Sequence, residues 1–184
     1  MGRPTLLACC GLIIAGATAG APQVVVIPGS IRSIPSPDAA GGRIFYHPHV
    51  LPNGSQASPV FYQDGTGRVQ QVATLSRSMG ISWSPDGGRV FLQDNWGSDV
   101  ADCYVLTRGA PGIRRLRLSK LIQRTRGHPT AAEQRGHYYV HCDRWLSSDL
   151  IAGAVSGHTD TNPGHGFHHP FNYNARTHQM DWRR

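Results

Sequence analysis

The chain is almost without one cation and one anion: Lys120 is its only lysine and Glu133 its only glutamate. Its net charge of +7 is therefore carried by arginine. Beyond the first twenty residues no apolar run approaches the roughly 20 residues that a membrane helix needs, so no membrane span is expected in the mature chain. There is no G-x-S-x-G elbow, no glycine-rich phosphate loop ahead of a helix, no H-E-x-x-H helix and no acid pair in a glycosidase pattern. These absences point away from an enzyme, although a catalytic site is assembled in space and not along the chain.

Cysteine is scarce as well. Cys9 and Cys10 lie in "MGRPTLLACCGLIIAGATAG", where Arg3 precedes an apolar run from Leu6 to Ile14. Ala17-Thr18-Ala19 then fits the small-x-small pattern of a cleaved secretory signal. Residues 1–19 are thus expected to be a signal peptide, and the mature protein to be periplasmic or secreted. Only Cys103 and Cys142 remain after cleavage, and in an oxidising compartment two cysteines are expected to form one disulfide.

What is present reads mostly as β-structure. Residues 20–42 carry one short β-type run, Val24 to Ile27, and then a Pro/Gly-rich stretch expected to be an irregular linker. From Arg43 to the end, runs of about 4–8 residues rich in Val, Ile, Tyr and Phe alternate with Gly, Pro, Asn and Asp, the pattern of a single antiparallel β domain. Helical spacing occurs only in "IRRLRLSKLIQRTR", which fits an amphipathic helix or a strand running into a short one. That stretch also concentrates Arg114, Arg115, Arg117, Lys120, Arg124 and Arg126 without an acid. A solvated basic face or an acidic partner suits it; with no interleaved aromatics and no nucleic-acid module, nucleic acid is not expected.

The β text repeats. "WSPDGGRVFLQDNWG" from Trp83 aligns with "WLSSDLIAGAVSG" from Trp145, and "FYQDGTGRVQQV" places Tyr62, Thr66 and Val69 as "NYNARTHQM" places Tyr173, Thr177 and Met180. "CYVLTRGAPGIRRL" from Cys103 reads as a middle copy of this second motif. About three repeats are expected, each a small sheet that buries one face and must stack on its neighbour. The "WSPDGGRVFL" hairpin resembles that of the TolB-like, or PD40, β-propeller repeat. The Tyr62–Val69 turn is similar to the turn between the last two strands of such blades. The match spans Arg43 to Trp182, is specific at Trp83–Leu92, and departs at Leu146–Asp149. It implies propeller-blade-like sheets in an incomplete propeller or an open stack, since a closed propeller takes four to eight blades. It also implies a binding scaffold, with no catalytic residues to carry over.

Histidine gathers near the C-terminus. "SGHTDTNPGHGFHHPFNY" holds His158, Asp160, His165, His168 and His169, the ligand types of zinc, copper or nickel. Glycine and proline between them suit a loop, which either binds a transition metal or is a polar interstrand connection. His47 and His49, with His137, His141 and Asp143, form a second grouping whose alternation places each set on one face of a strand. The reading that follows is an exported β-repeat protein acting as a binding or interaction module, with a protein partner or self-association and no resident cofactor. A metal-dependent hydrolase using the His158–His169 loop is the alternative from another class. An orphan sensor-type domain of a cell-envelope system is the third.

Overall fold

The computed structural model describes residues 23–95, 97, 100–109, 112–125, 136–159 and 162–183, so the proposed signal segment and Asp160 lie outside the described residues. Strand β1 (Val25–Ile27) runs antiparallel beside β6 (Ser78–Trp83). Between them in sequence, β2 (Ser33–Pro35), β3 (Arg43–Tyr46), β4 (Ser58–Gln63) and β5 (Val69–Leu75) form a four-stranded antiparallel sheet, unit 1. Strand β6 opens unit 2, continued by β7 (Arg89–Asn95), β8 (Val100–Gly109) and β9 (Gly112–Arg117). Helix α1 (Leu118–Ile122) follows β9, so the helical spacing noted above resolves into a strand running into a short helix. Unit 3 repeats the meander with β10 (His137–Trp145), β11 (Leu150–Thr159), β12 (Asn162–Asn174) and β13 (Gln179–Trp182). A short parallel contact, Tyr138↔Val100 and Tyr139↔Ala101, joins units 2 and 3 into one nine-stranded sheet.

The fold is thus mostly β, with three four-stranded units and one short helix among the described residues. Both recurrent motifs fall at equivalent places. Trp83 and Trp145 end the first strand of their units, and the Tyr62 and Tyr173 turns join the third strand to the fourth. Unit 1 starts earlier than the Arg43 expected from the sequence, because the three residues of β2 supply its first strand. The turns use side-chain chemistry that the sequence advertises. Asp86 accepts from the Gly88 amide and the Ser84 hydroxyl while Gly87 takes φ +68°. Asp64 accepts from the amides of Thr66 and Arg68, and Asn174 from those of Arg176 and Thr177.

Burial follows position in the stack. Strand β4 alternates buried and half-buried residues, as does most of β10, so units 1 and 3 each cover one face. In β7 the five residues from Val90 to Asp94 are all buried, with unit 2 between the other two; Ile151–Val155 of β11 are buried as well, but there the outward residues are the small Ala152 and Ala154. Val90 and Leu92 point into a core shared with Ile44, Val60, Tyr62 and Leu75 of unit 1. Phe91 points into a second core with Val140, Trp145, Ile151 and Phe171 of unit 3.

The expected loop at His158–His169 is, in the described residues, the end of β11 and the start of β12. Glycine and proline suggested a loop there, yet Gly166 pairs with His158 and Pro170 with Ala154, and two glycines of β11 just before the segment make room for the rings of β12. Gly153 lies opposite Phe171 and Gly157 opposite Phe167. A Cβ on Gly153 would come within 2.7 Å of the Phe171 ring, and one on Gly157 within 3.0 Å of Phe167. The missing side chains make room for the rings, which hold the long β11–β12 hairpin together.

Candidate functional site

Extended structure sorts the predicted histidines onto two faces. Cross-strand partners share a face, so the pairs His137↔His158, Tyr139↔Ser156↔His168 and His141↔Ala154↔Pro170 place His137, Tyr139, His141, His158 and His168 together on the outer face of unit 3. His169 points the other way, between the Phe167 and Trp182 rings at 5.6 and 6.4 Å. His165 is exposed near the start of β12. Among the described residues, no three His, Cys, Asp or Glu side chains converge to hold a metal ion. The His47 ring lies edge-on to Phe45 and Phe61 of unit 1, so it does not join the His137–His141 group on unit 3.

The outer face of unit 3 is a surface of rings. The His137 and His158 rings lie 4.1 Å apart, and His137 Nδ1 is 3.1 Å from the Tyr139 hydroxyl. Tyr139 stacks on His141 at 6.1 Å. Burial holds the His141 imidazole below its ordinary pKa; Asp143 raises it and His168 lowers it further. Ala154 and Pro170 leave a low floor beside His141. The strand alternation legible in "HYYVHCD" predicts half of this face; His158 and His168 join it through register, which the sequence does not display.

A second site lies at the junction of units 1 and 2. Asp94 and Asp102 sit opposite each other on β7 and β8, both buried. Asp102 is paired with Arg117 and accepts from the Ser119 hydroxyl at 2.6 Å and the Cys103 amide at 2.8 Å. Asp94 Oδ1 has no hydrogen-bond partner among the described residues. Burial, and then the Asp102 charge, push its carboxyl up to about 6. This pair is invisible in the sequence, because the two acids are joined only by the β7–β8 register.

At the rim of the same junction a cleft of about 350 Å³ opens between β5 and β9. Gln70, Gln71 and Thr74 edge it, Val72 and Ile113 form apolar wall, and Arg115 supplies a cation. Gln70 uses both ends of its amide on one residue of β9: Nε2 donates to the Ile113 carbonyl and Oε1 accepts from the Ile113 amide. Arg115 belongs to the basic stretch singled out above; the β5 residues that line the cleft with it lie more than forty positions earlier, so no local motif reveals the cleft. Cys103 and Cys142 form the expected disulfide, with Cα atoms 5.9 Å apart. No helix among the described residues is long and apolar enough to cross a membrane. Comparison with known protein families, characterised proteins and solved structures finds no match to this chain.

Proposed function

We propose that this is an exported module of TolB-like β-repeats, periplasmic or secreted, that binds a protein partner and performs no chemistry of its own. The observation that carries the reading is the outer face of unit 3. It gathers His137, Tyr139, His141, His158 and His168 on a sheet whose opposite face is fixed to unit 2 by a disulfide. Tyr139 is of a type favoured at the centre of protein interfaces, and the histidines around it add flat rings with an apolar body and a polar tip. The disulfide and the N-terminal apolar segment support an oxidising compartment.

The test pairs two measurements. N-terminal sequencing of the native protein should begin at Gly20, after Ala19; an intact Met1 in the cytosol overturns export. A partner recovered from the native envelope should lose affinity with Tyr139→Ser and His168→Ser, and keep it with His165→Ser. Equal binding by all three variants overturns the assigned face. The closeness of His137 and His158 supports one rival, the metal-dependent hydrolase. Stoichiometric zinc, copper or nickel in untagged protein, lost in His137→Ala, would favour that rival over a pure binding role.

A further inference from the structure

The rim cleft has the makings of a ligand site that the proposed docking face leaves unused. Strand β9 is paired on one side only, to β8, so its outer edge lies at the rim. Arg114 and Arg115 are both exposed there, and among the described residues neither pairs with an acid. Arg115 is nonetheless held in place: its Nη1 donates to the Val72 carbonyl at 2.8 Å and its guanidinium lies 4.9 Å over the Tyr104 ring. Those contacts use one N–H and one face, leaving the other N–H donors of the fork for a ligand. A fixed, solvent-reached guanidinium is a ready partner for a planar carboxylate, because little side-chain entropy remains to be lost on binding.

The surroundings narrow the class of anion. Beyond its two bonds to Ile113, Gln70 keeps one amide N–H and one oxygen lone pair; Gln71, whose Nε2 donates to the Ala73 carbonyl and the Thr74 hydroxyl, keeps its Oε1, and the Thr74 hydroxyl keeps its own proton, for a hydroxyl-rich ligand. Val72 and Ile113 offer apolar wall to the C–H face of a ring. The volume of about 350 Å³ lies within the size range of small-molecule sites. On the other flank of β9 a smaller cleft of about 160 Å³ is bordered by Arg114, Arg115, Thr107 and His178. Arg115 borders both, so an extended ligand crossing β9 would meet cationic side chains in succession. We infer that the cleft between β5 and β9 binds a carboxylate-bearing sugar residue of an acidic polysaccharide, its carboxylate on Arg115 and its hydroxyls on Gln70, Gln71 and Thr74.

The choice of a saccharide rests on the exported location proposed above; the geometry of the cleft does not. The test is calorimetry on the oxidised full-length mature protein with oligomers of galacturonate, alginate and hyaluronan, a neutral galactose oligomer and inorganic phosphate. At least one acidic oligomer should bind, while the neutral oligomer and phosphate bind far more weakly. Arg115→Gln should weaken binding by roughly tenfold or more, the scale of one charged hydrogen bond. Arg124→Gln, also basic and exposed but away from the cleft, should leave it unchanged. Because Arg115 also ties β9 to unit 1, thermal unfolding accompanies each variant. Thr74→Trp, which fills the cleft without touching the arginine, supplies an independent block. Three results overturn the inference: no acidic oligomer binds, phosphate binds as well as the oligomers, or Arg124→Gln loses as much as Arg115→Gln. Export is tested separately by N-terminal sequencing, so either reading can fail alone.

Discussion

Units 1 and 2 meet much as units 2 and 3 meet, yet the two junctions differ in chemistry. In each, a tryptophan at the end of a first strand donates its indole N–H to the first strand of the preceding unit. Trp83 reaches the Ile34 carbonyl at 3.2 Å, and Trp145 the Ser82 carbonyl at 3.0 Å. In each, a glutamine amide clamps the backbone of the neighbour: Gln70 on Ile113, and Gln93 on the Val140 carbonyl and Cys142 amide. An arginine of unit 2 pairs with a hairpin aspartate at both, Arg108 with Asp38 and Arg89 with Asp149. The devices recur because the units repeat.

The rows between those devices do not. On the face that unit 2 turns to unit 1, Leu92–Tyr104–Arg117 and Asp94–Asp102 are neighbours across strands. The equivalent rows of unit 3, turned to unit 2, read Gly153–Phe171–Trp182 and Val155–His169. Arg117 lies over Tyr104 where Trp182 lies edge-on to Phe171. The second junction also carries the disulfide. The second is therefore a mostly apolar, covalently fixed joint, and the first a charged one with an open rim cleft. A third comparison follows the face that each unit turns away from the preceding one. The face toward the next unit carries Ile44 and Tyr62 in unit 1, Phe91 and Val105 in unit 2, but Ala152 and Asn172 in unit 3. In unit 3 the large apolar side chains of that row give way to a small alanine and an amide.

The largest expected effects test whether the shared hook matters equally at both joints. Trp83→Ala and Trp145→Ala should each cost about 3–5 kcal/mol, the range for emptying a buried large aromatic site. Both indoles are 4% exposed, so the two losses should agree within the scatter of such measurements. Chemical denaturation of both variants is the check. If one is mild, the two junctions do not depend equally on the hook; if both are, the recurrence of the tryptophan hairpins is an accident of turn composition.

Next comes the staple. Replacing Cys103 and Cys142 together by alanine removes a link across 39 residues and should cost roughly 4 kcal/mol in the chain-entropy model. Hydrogen exchange in the variant should rise in β10 and β11 more than in β3 and β4. An equal rise in both would mean that the two joints open together.

Much of this comparison was legible before any coordinates, and the reasons are local. The Trp83 and Trp145 hairpins, the Tyr62 and Tyr173 turns and the cysteine pair each announce themselves within a few residues or by elimination. The first half of β12 was hidden because "NPGHGFHH" has the composition of a loop. Its pairing depends on Gly153 and Gly157 of β11, which only register brings beneath its phenylalanines. Strand β2 was hidden by its length of three residues. The buried acids and the rim cleft were hidden for one shared reason: each joins residues whose proximity is a property of pairing and stacking.

The acid pair gives the first junction a pH dependence through Asp94. The Asp94 carboxyl is pushed up to about 6, above its ordinary value, so the folded state holds this proton more tightly than the unfolded chain. Its favourable contribution is fully present below the ordinary value of 3.8 and is lost as pH rises through about 6. A rise from 3.8 to about 6 corresponds to about 3 kcal/mol. Asp94→Asn keeps the shape without the charge, so it should raise stability at pH 7 by about 2–3 kcal/mol and leave it nearly unchanged at pH 3.5. Denaturation midpoints at the two pH values decide it. A variant no more stable than the parent at pH 7 would mean that water or a cation already satisfies the carboxylate.

The smallest effects separate two glutamines that do the same thing in different surroundings. Gln93 is 8% exposed, and both of its bonds to unit 3 are buried. Gln93→Leu fills the same volume but leaves the Val140 carbonyl and the Cys142 amide without that partner, away from water. Each buried group so stranded costs about 1–3 kcal/mol, and relaxation around a leucine offsets part of it, so a loss of about 2–3 kcal/mol is expected. Gln70 makes the matching pair of bonds at the first junction, but it is exposed on the rim. Water can replace an amide there, so Gln70→Leu should cost less than about 1 kcal/mol. The ratio of the two losses is the sharpest measure of the contrast, because the bonding pattern is held constant and only the wetness of the joint changes. Equal losses would show that the rim closes over Gln70 in solution, and the first junction would then be as dry as the second.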